Sequence, residues 1–272
     1  MLQAGIALAM FCLGQTSRAD DWKLVWHDEF DKDGPPDPAN WNFQQGFVRN
    51  HELQWYQPQN AYCSHGVLIL EGRQEHRLNP DYIPGSDDWR KSRQWIDATS
   101  ACLTTRGLHE FTYGKFEIRA RIDTRAGSWP AFWTLGDRGP GIGWPACGEV
   151  DIMEYYTSKV LANFGWKQNG KMKWLAVRKP LAQLTDPNWS HEFHTWTMDW
   201  DAQKIDLLLD GVLMNHLDLT QADAADTGNP FHSPVFILLD QAIGGNSGGD
   251  PSHTTFPIRY EVDWVRVYQR AN

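Results

Sequence analysis

Apolar side chains in this chain recur in short runs divided by Gly, Pro, Asn and Asp, and within the runs they alternate with a period of two rather than 3.6. Trp22 to Trp26 alternates as a first strand, and Asp28 to Asp31 with Pro35 and Pro36 turns the chain. Val67 to Gly72 reads as a buried strand, followed by strands over Thr99 to Leu103, Phe111 to Arg121 and Ala131 to Leu135. Val160 to Trp166 predicts the next strand, and Phe193 to Trp200 with Lys204 to Leu213 a hairpin turning at Asp201-Ala202-Gln203. Val235 to Asn246 predicts a last inner strand, and Ile258 to Gln269 a closing one. Gln74 to Gln94 is polar and carries Pro80, Pro84 and Gly85, which predicts a long loop beside a functional face. There is hardly any helical periodicity, no repeat and no linker, so the pattern predicts one all-β domain from Asp20 to Asn272.

One run breaks the polar-outside rule. Gly148-Glu149-Val150-Asp151-Ile152-Met153-Glu154-Tyr155 places three carboxylates among residues that belong in a buried strand. Strict alternation puts Glu149 and Asp151 on one face and sends Glu154 to the other. One extra residue at Ile152-Met153, a β-bulge, returns Glu154 to the face of the other two. Glu149 and Glu154 then lie about 13 Å apart along the strand. Long side chains leaning together can bring their carboxyls to about 5 to 5.5 Å, the separation used for retaining glycoside cleavage. Asp151 between them is placed to raise a neighbour's pKa. Just upstream, Trp129, Trp133 and Trp144 supply aromatic faces of the kind on which sugar rings stack.

Trp129-Pro130-Ala131-Phe132-Trp133, then Trp144-Pro145, then the acidic run resemble glycoside hydrolase family 16, on the laminarinase and β-agarase side with the bulged E-x-D-x-x-E. Plant xyloglucan endotransglycosylases and lichenases, with E-x-D-x-E, resemble it less. The resemblance covers essentially the whole chain after the leader; Trp26 to Phe30 and the Trp196 to Asp206 region are also similar to the family pattern. It implies a β-sandwich jelly roll with a concave substrate cleft, Glu149 as nucleophile, Glu154 as general acid/base, Asp151 assisting, and no cofactor for catalysis. Asn50 and Glu52, in Asn50-His51-Glu52-Leu53-Gln54-Trp55-Tyr56, match a segment that hydrogen-bonds sugars near the scissile bond; the plain alternative is an edge strand with polar outward positions. Arg106 is placed like a basic residue of the cleft rim, Gln241 is expected to face the cleft, and Asn163 stands near the position where laminarinases carry a histidine. Asp263 resembles the ligand of a structural calcium ion on the convex side, with carbonyls from segments such as those of Glu29 and Gly72. Ser247 and its glycine neighbours stand where family members often carry a tryptophan.

Composition narrows the alternatives. With 15 Trp, 8 Tyr and 12 Phe the chain holds a surplus of aromatic surface, and its net charge of −9 with no Lys/Arg run argues against nucleic acid and anionic membranes as partners. Gly244-Gly245 is not followed by a helical pattern, which excludes a phosphate loop. Leu2 to Leu13 is apolar but too short to span a bilayer, and Ser17-Arg18-Ala19 offers a cleavage site; residues 1–19 therefore read as a secretory leader of a secreted or periplasmic, monomeric protein. Beyond it remain Cys63, Cys102 and Cys147, which allow at most one disulfide.

The sequence expectation is thus an endo-acting retaining β-glycosidase acting on β-1,3- or mixed β-1,3/1,4-glucan. The alternatives are the same chemistry on a galactose-containing polymer, such as an agar-type galactan or a mucin O-glycan, and a lectin-like module that binds without cleaving.

Overall fold

The computed structural model describes residues 22–184, 186–226 and 228–271. The leader over 1–19 lies outside the described residues. Seventeen strands form two stacked antiparallel-rich sheets. They run, in chain order, β1 (Trp22–Asp28), β2 (Asn42–Phe43), β3 (Gln54–Tyr56), β4 (Ala61–Ser64), β5 (Val67–Leu78), β6 (Trp95–Ser100), β7 (Cys102–Thr104), β8 (Gly114–Ile122) and β9 (Ser128–Gly136). They continue with β10 (Glu149–Tyr156), β11 (Lys159–Gln168), β12 (Lys171–Pro180), β13 (His194–Trp200), β14 (Lys204–Leu209), β15 (Val212–Asp218), β16 (Val235–Ile243) and β17 (Ile258–Arg270). One sheet has the order β15-β14-β13-β8-β17-β5-β6-β3, with β1 beside β17 and β4 beside β5; the other has β12-β11-β10-β9-β16-β7-β2. This is the all-β domain that the alternation predicted, in the jelly-roll form that the family resemblance implied.

The alternation also explains the core. Along β8 every second residue, Phe116, Ile118, Ala120 and Ile122, is buried between the sheets. On the facing sheet Val235, Ile237 and Leu239 of β16 enter the same core, so Phe236, Leu238 and Asp240 fall on the other face, which carries the site. A buried side chain of this size contributes roughly 1.5–3 kcal/mol.

Several boundaries differ from expectation for physical reasons. β12 escaped the sequence reading because Lys171, Lys173, Arg178 and Lys179 break its apolar pattern, as befits the edge of a sheet. Lys204 to Leu213 is two strands, because Asp210 and Gly211 take positive φ of 50° and 75° and make a tight hairpin. The predicted strand Thr99 to Leu103 changes sheets at Ala101, leaving β6 on one and β7 on the other. β5 runs on to Leu78, so the long loop is Asn79 to Gln94 and holds a single helical turn, α1 (Trp89–Ser92), capped by Asp88. Gly245–Gly248 is likewise one helical turn, α2.

Candidate active site

The acidic run occupies β10, in the middle of the second sheet. Asp151 pairs with Asn163 and Trp133, whereas Glu154 pairs with Leu161 and Ala131, so β10 uses three steps where each neighbour uses two. That is the expected bulge at Ile152-Met153. Its consequence is visible in burial: Val150, Ile152, Met153 and Tyr155 all enter the core, while Glu149, Asp151 and Glu154 line one cavity of about 590 Å³.

Each acid is held by a different set of partners. Trp129 Nε1 donates to Glu154 Oε1 at 2.7 Å, and Asn163 Nδ2 donates to Glu154 Oε2 at 2.8 Å and to Asp151 Oδ2 at 3.0 Å. Glu149 hydrogen-bonds Asp151 and receives the Trp144 indole. Burial, and then the Asp151 charge, push both glutamates well above the ordinary carboxyl range, with the indole and amide donors opposing. Burial also lifts Asp151, to about 6, against the hydrogen bonds from Asn163 and Glu149. The upward shift favours the protonated form of Glu154, and two donors, Trp129 and Asn163, stand ready to stabilise it once it has given up its proton. Glu149 and Asp151 share a proton as one titrating pair.

Trp129, Trp133 and Trp144 all line the cavity; Trp144 is 57% exposed, while Trp129 and Trp133 present only edges and faces at the floor. Asn50 lines it as well, from a turn in which Asn50 and His51 take φ of 53° and 52°. Glu52 lies deeper, 2% exposed, in a recess of about 50 Å³ that opens beneath the acids. It accepts from Asn50 Nδ2 (3.2 Å), Gln54 Nε2 (2.7 Å) and Tyr56 Oη (3.2 Å), and burial raises it to about 7.

Three sequence assignments change. Gln241 is fully buried and faces away from the cleft; its amide donates to Ser128 Oγ and to the Ala242 carbonyl. The phase of β16 is off by one from the expectation, and Asp240 is the residue that reaches the recess. Arg106 is exposed and lies over the Phe236 ring at 5.3 Å, outside the lining of the catalytic cavity. Asn163 does not face open cleft: it is 1% exposed and spends its amide on Asp151 and Glu154. The calcium set does not fit either. Asp263 is paired with Arg119, Glu29 with Arg266 at 2.8 Å, and Gly72 stands opposite Ile258, five residues along β17 from Asp263. No group of three or more His, Cys, Asp or Glu converges on a metal position among the described residues.

Three site residues, Asp240, Arg49 and Trp174, carried no local signal. Asp240 accepts from Trp133 Nε1 (2.7 Å) and Tyr56 Oη (2.9 Å), and Arg49 lies 4.0 Å from it and 5.0 Å over the Trp133 ring. Trp174 lines the wall together with Ser247, Arg90, Leu135 and Tyr156. Trp174, 44% exposed, lies across Gly165, where an added Cβ would stand 2.1 Å from its ring. Trp174, Gly165 and Glu149 are direct partners across β12, β11 and β10, so this indole flanks the acids on the side opposite Asn50, Glu52 and Asp240.

The sequence profile of Glycosyl hydrolases family 16 matches residues 52–266. The chain belongs to this family. It is 34% identical to a Beta-glucanase of Rhodothermus marinus over 99% of this chain and 93% of that protein. Among solved structures, the laminarinase catalytic domain of Thermotoga maritima MSB8 superposes with a TM-score of 0.78 at 34% identity, covering 93% of this chain and all of that one. A structure from work on human gut microbiota members that express endo-acting O-glycanases to initiate mucin breakdown superposes with a TM-score of 0.84 at 31% identity, covering 93% and 92%. The family 16 chain is a glycoside hydrolase.

Proposed function

We propose that this family 16 hydrolase is an endo-acting, retaining β-glucanase cleaving β-1,3- or mixed β-1,3/1,4-linked glucan. The observation that carries the reading is the bulge in β10, which sets Glu149 and Glu154 on one wall of an open cleft with Asp151 between them. Glu149, once its shared proton is lost, attacks the anomeric carbon, while Glu154 protonates the departing oxygen. Glu154, now a carboxylate held by Trp129 and Asn163, takes a proton from water, which attacks the glycosyl-enzyme and releases product with retained configuration. The Rhodothermus and Thermotoga relatives support glucan as the polymer. The reading includes export through residues 1–19 and a monomeric catalytic chain.

A second reading keeps the chemistry and changes the polymer to a galactose-containing glycan. Its support is the O-glycanase structure, with Asn163 in place of the expected histidine and Ser247 in place of the expected tryptophan. Digestion of laminarin, mixed-linkage glucan, agarose, carrageenan and mucin O-glycans, with product sizing beside the Glu149→Ala variant, decides between them. Oligosaccharides from the glucans, absent with the variant, are expected. Products from galactose-containing polymers alone would replace the first reading with the second, and an active Glu149→Ala enzyme would overturn the catalytic assignment.

A further inference from the structure

A second cavity, of about 550 Å³, lies outside the catalytic cleft and is nearly as large. Its walls mix aromatic and polar groups: Trp95 is 41% exposed, and Gln74, Gln94 and Asp97 surround it. One charge of each sign, Arg93 and Asp97, lines it, and Asp97 already pairs with His76 at 2.6 Å. The Trp95 indole is braced by the His76 ring, stacked at 4.5 Å with planes 19° apart. A fixed indole beside two amides, with Phe47, Leu53 and Phe256 completing apolar walls and no excess charge, suits the apolar face and hydroxyl edge of a neutral sugar better than an anion.

The position of this cavity matters more than its lining. Two segments separate it from the catalytic cleft, and each faces both. In the turn over Asn50–Leu53, Asn50 lines the catalytic cavity and Leu53 the second one. In the loop after β16, Ser247 lines the first and Pro251 and Ser252 the second. The two segments are bound to each other, with Leu53 N–H on the Ile243 carbonyl and Asn246 N–H on the Asn50 carbonyl, both at 2.9 Å. Arg93 reaches from the second cavity to donate to the His51 carbonyl at 2.8 Å and to the Glu52 carbonyl. A single thin wall therefore stands between the two sites.

We propose that the Trp95 cavity is a distal subsite for the same neutral β-glycan, holding the part of the chain that leaves the cleft over the Asn50–Leu53 wall. This rests on the glycanase reading of the cleft and adds to it a preference for long substrates. A polymer bridges both cavities, whereas a short oligosaccharide fills the cleft alone; tethering the second contact to the first raises apparent affinity without altering the chemistry.

The test compares wild type with Trp95→Ala and with Ser252→Arg, which fills the cavity, on laminarin and on a laminari-oligosaccharide of a few residues. The expected result is a KM for laminarin raised roughly tenfold in both variants, the scale of one lost aromatic contact, with kcat and the oligosaccharide kinetics unchanged. Unchanged laminarin KM in the two folded variants, or equal losses on polymer and oligosaccharide, would overturn the proposal. If wild type cleaves only a galactose-containing polymer, the glucanase reading fails separately, and the same comparison on that polymer and its fragments still decides the subsite.

Discussion

At the scale of single residues the site is a problem in protons. Three carboxyls share a buried wall, and the protein answers by keeping them partly neutral rather than by supplying a cation beside each one. In the proposed mechanism cleavage requires that the Glu149–Asp151 pair has lost its shared proton while Glu154 retains its own, so kcat/KM is expected to trace a bell against pH. Asp151 raises both glutamates; replacing it with asparagine lowers both, and the acidic and basic limbs move together toward lower pH. The expected outcome for Asp151→Asn is a bell displaced to more acidic pH on a reduced maximum, measured as kcat/KM across pH 4 to 9; a stationary acidic limb would show that Asp151 does not govern Glu149. The same elevated values mean that these acids bind protons more tightly folded than unfolded. Their contribution to stability is fully present below the unfolded carboxyl range and is lost as pH rises through the folded values, up to about 6 for Asp151.

At the scale of elements, the bulge decides which residues are catalytic. Met153 is fully buried and Glu154 is not, because β10 has one residue more than its neighbours between Asp151 and Glu154. Deleting Met153 restores plain alternation and keeps all three acids on the cleft face, at a cavity cost of about 2–5 kcal/mol. Inserting one alanine after Met153 instead also restores even spacing, but straightening the strand carries Glu154 two residue rises, about 6.6 Å, farther from Glu149. The deletion variant is therefore expected to lose stability but retain measurable turnover, and the insertion variant to lose turnover altogether; thermal melts beside assays distinguish them. On β11, Gly165 leaves the space that Trp174 fills. Gly165→Ala displaces that indole, and the expected effect is a severalfold rise in KM with little change in kcat, read from initial rates on oligosaccharides of increasing length. An unaltered KM would remove Trp174 from substrate binding.

The same two elements show why some of the site was legible in the chain and some was not. Glu149, Asp151, Glu154 and the bulge are local: six residues and a period of two suffice to place them. Asp240 and Arg49 are not, since Asp240 joins the site only through the pairing of β16 with β9, and a one-residue error of phase gave its place to Gln241. Trp174 was hidden because β12, with its lysines, does not look like a strand until β11 is beside it. Asn163 was recognised by position but not by role, because its two acidic partners become adjacent only after the bulge forms.

Over the whole molecule, much of the charge sits in ion pairs on the sheet that does not carry the cleft. The formal charge is −9, yet the outer sheet carries ion pairs such as Arg121–Glu261 and Arg259–Glu71, at 2.7 and 2.8 Å, away from the cleft. Half-exposed pairs of this kind contribute little each and are screened by salt. An uncharged glucan gains nothing from long-range attraction, so KM on laminarin is expected to change by less than about twofold between 50 and 500 mM NaCl. A steep salt dependence would point to a sulfated polymer.

Among the described residues Cys63, Cys102 and Cys147 are free and buried, and burial drives the Cys63 thiol up to about 12. Each sulfur is thus a packing atom, withheld from oxidants by the same sheets it helps to fill. Among the described residues the fold therefore contains no disulfide that the redox machinery of a compartment would have to form, sort or preserve.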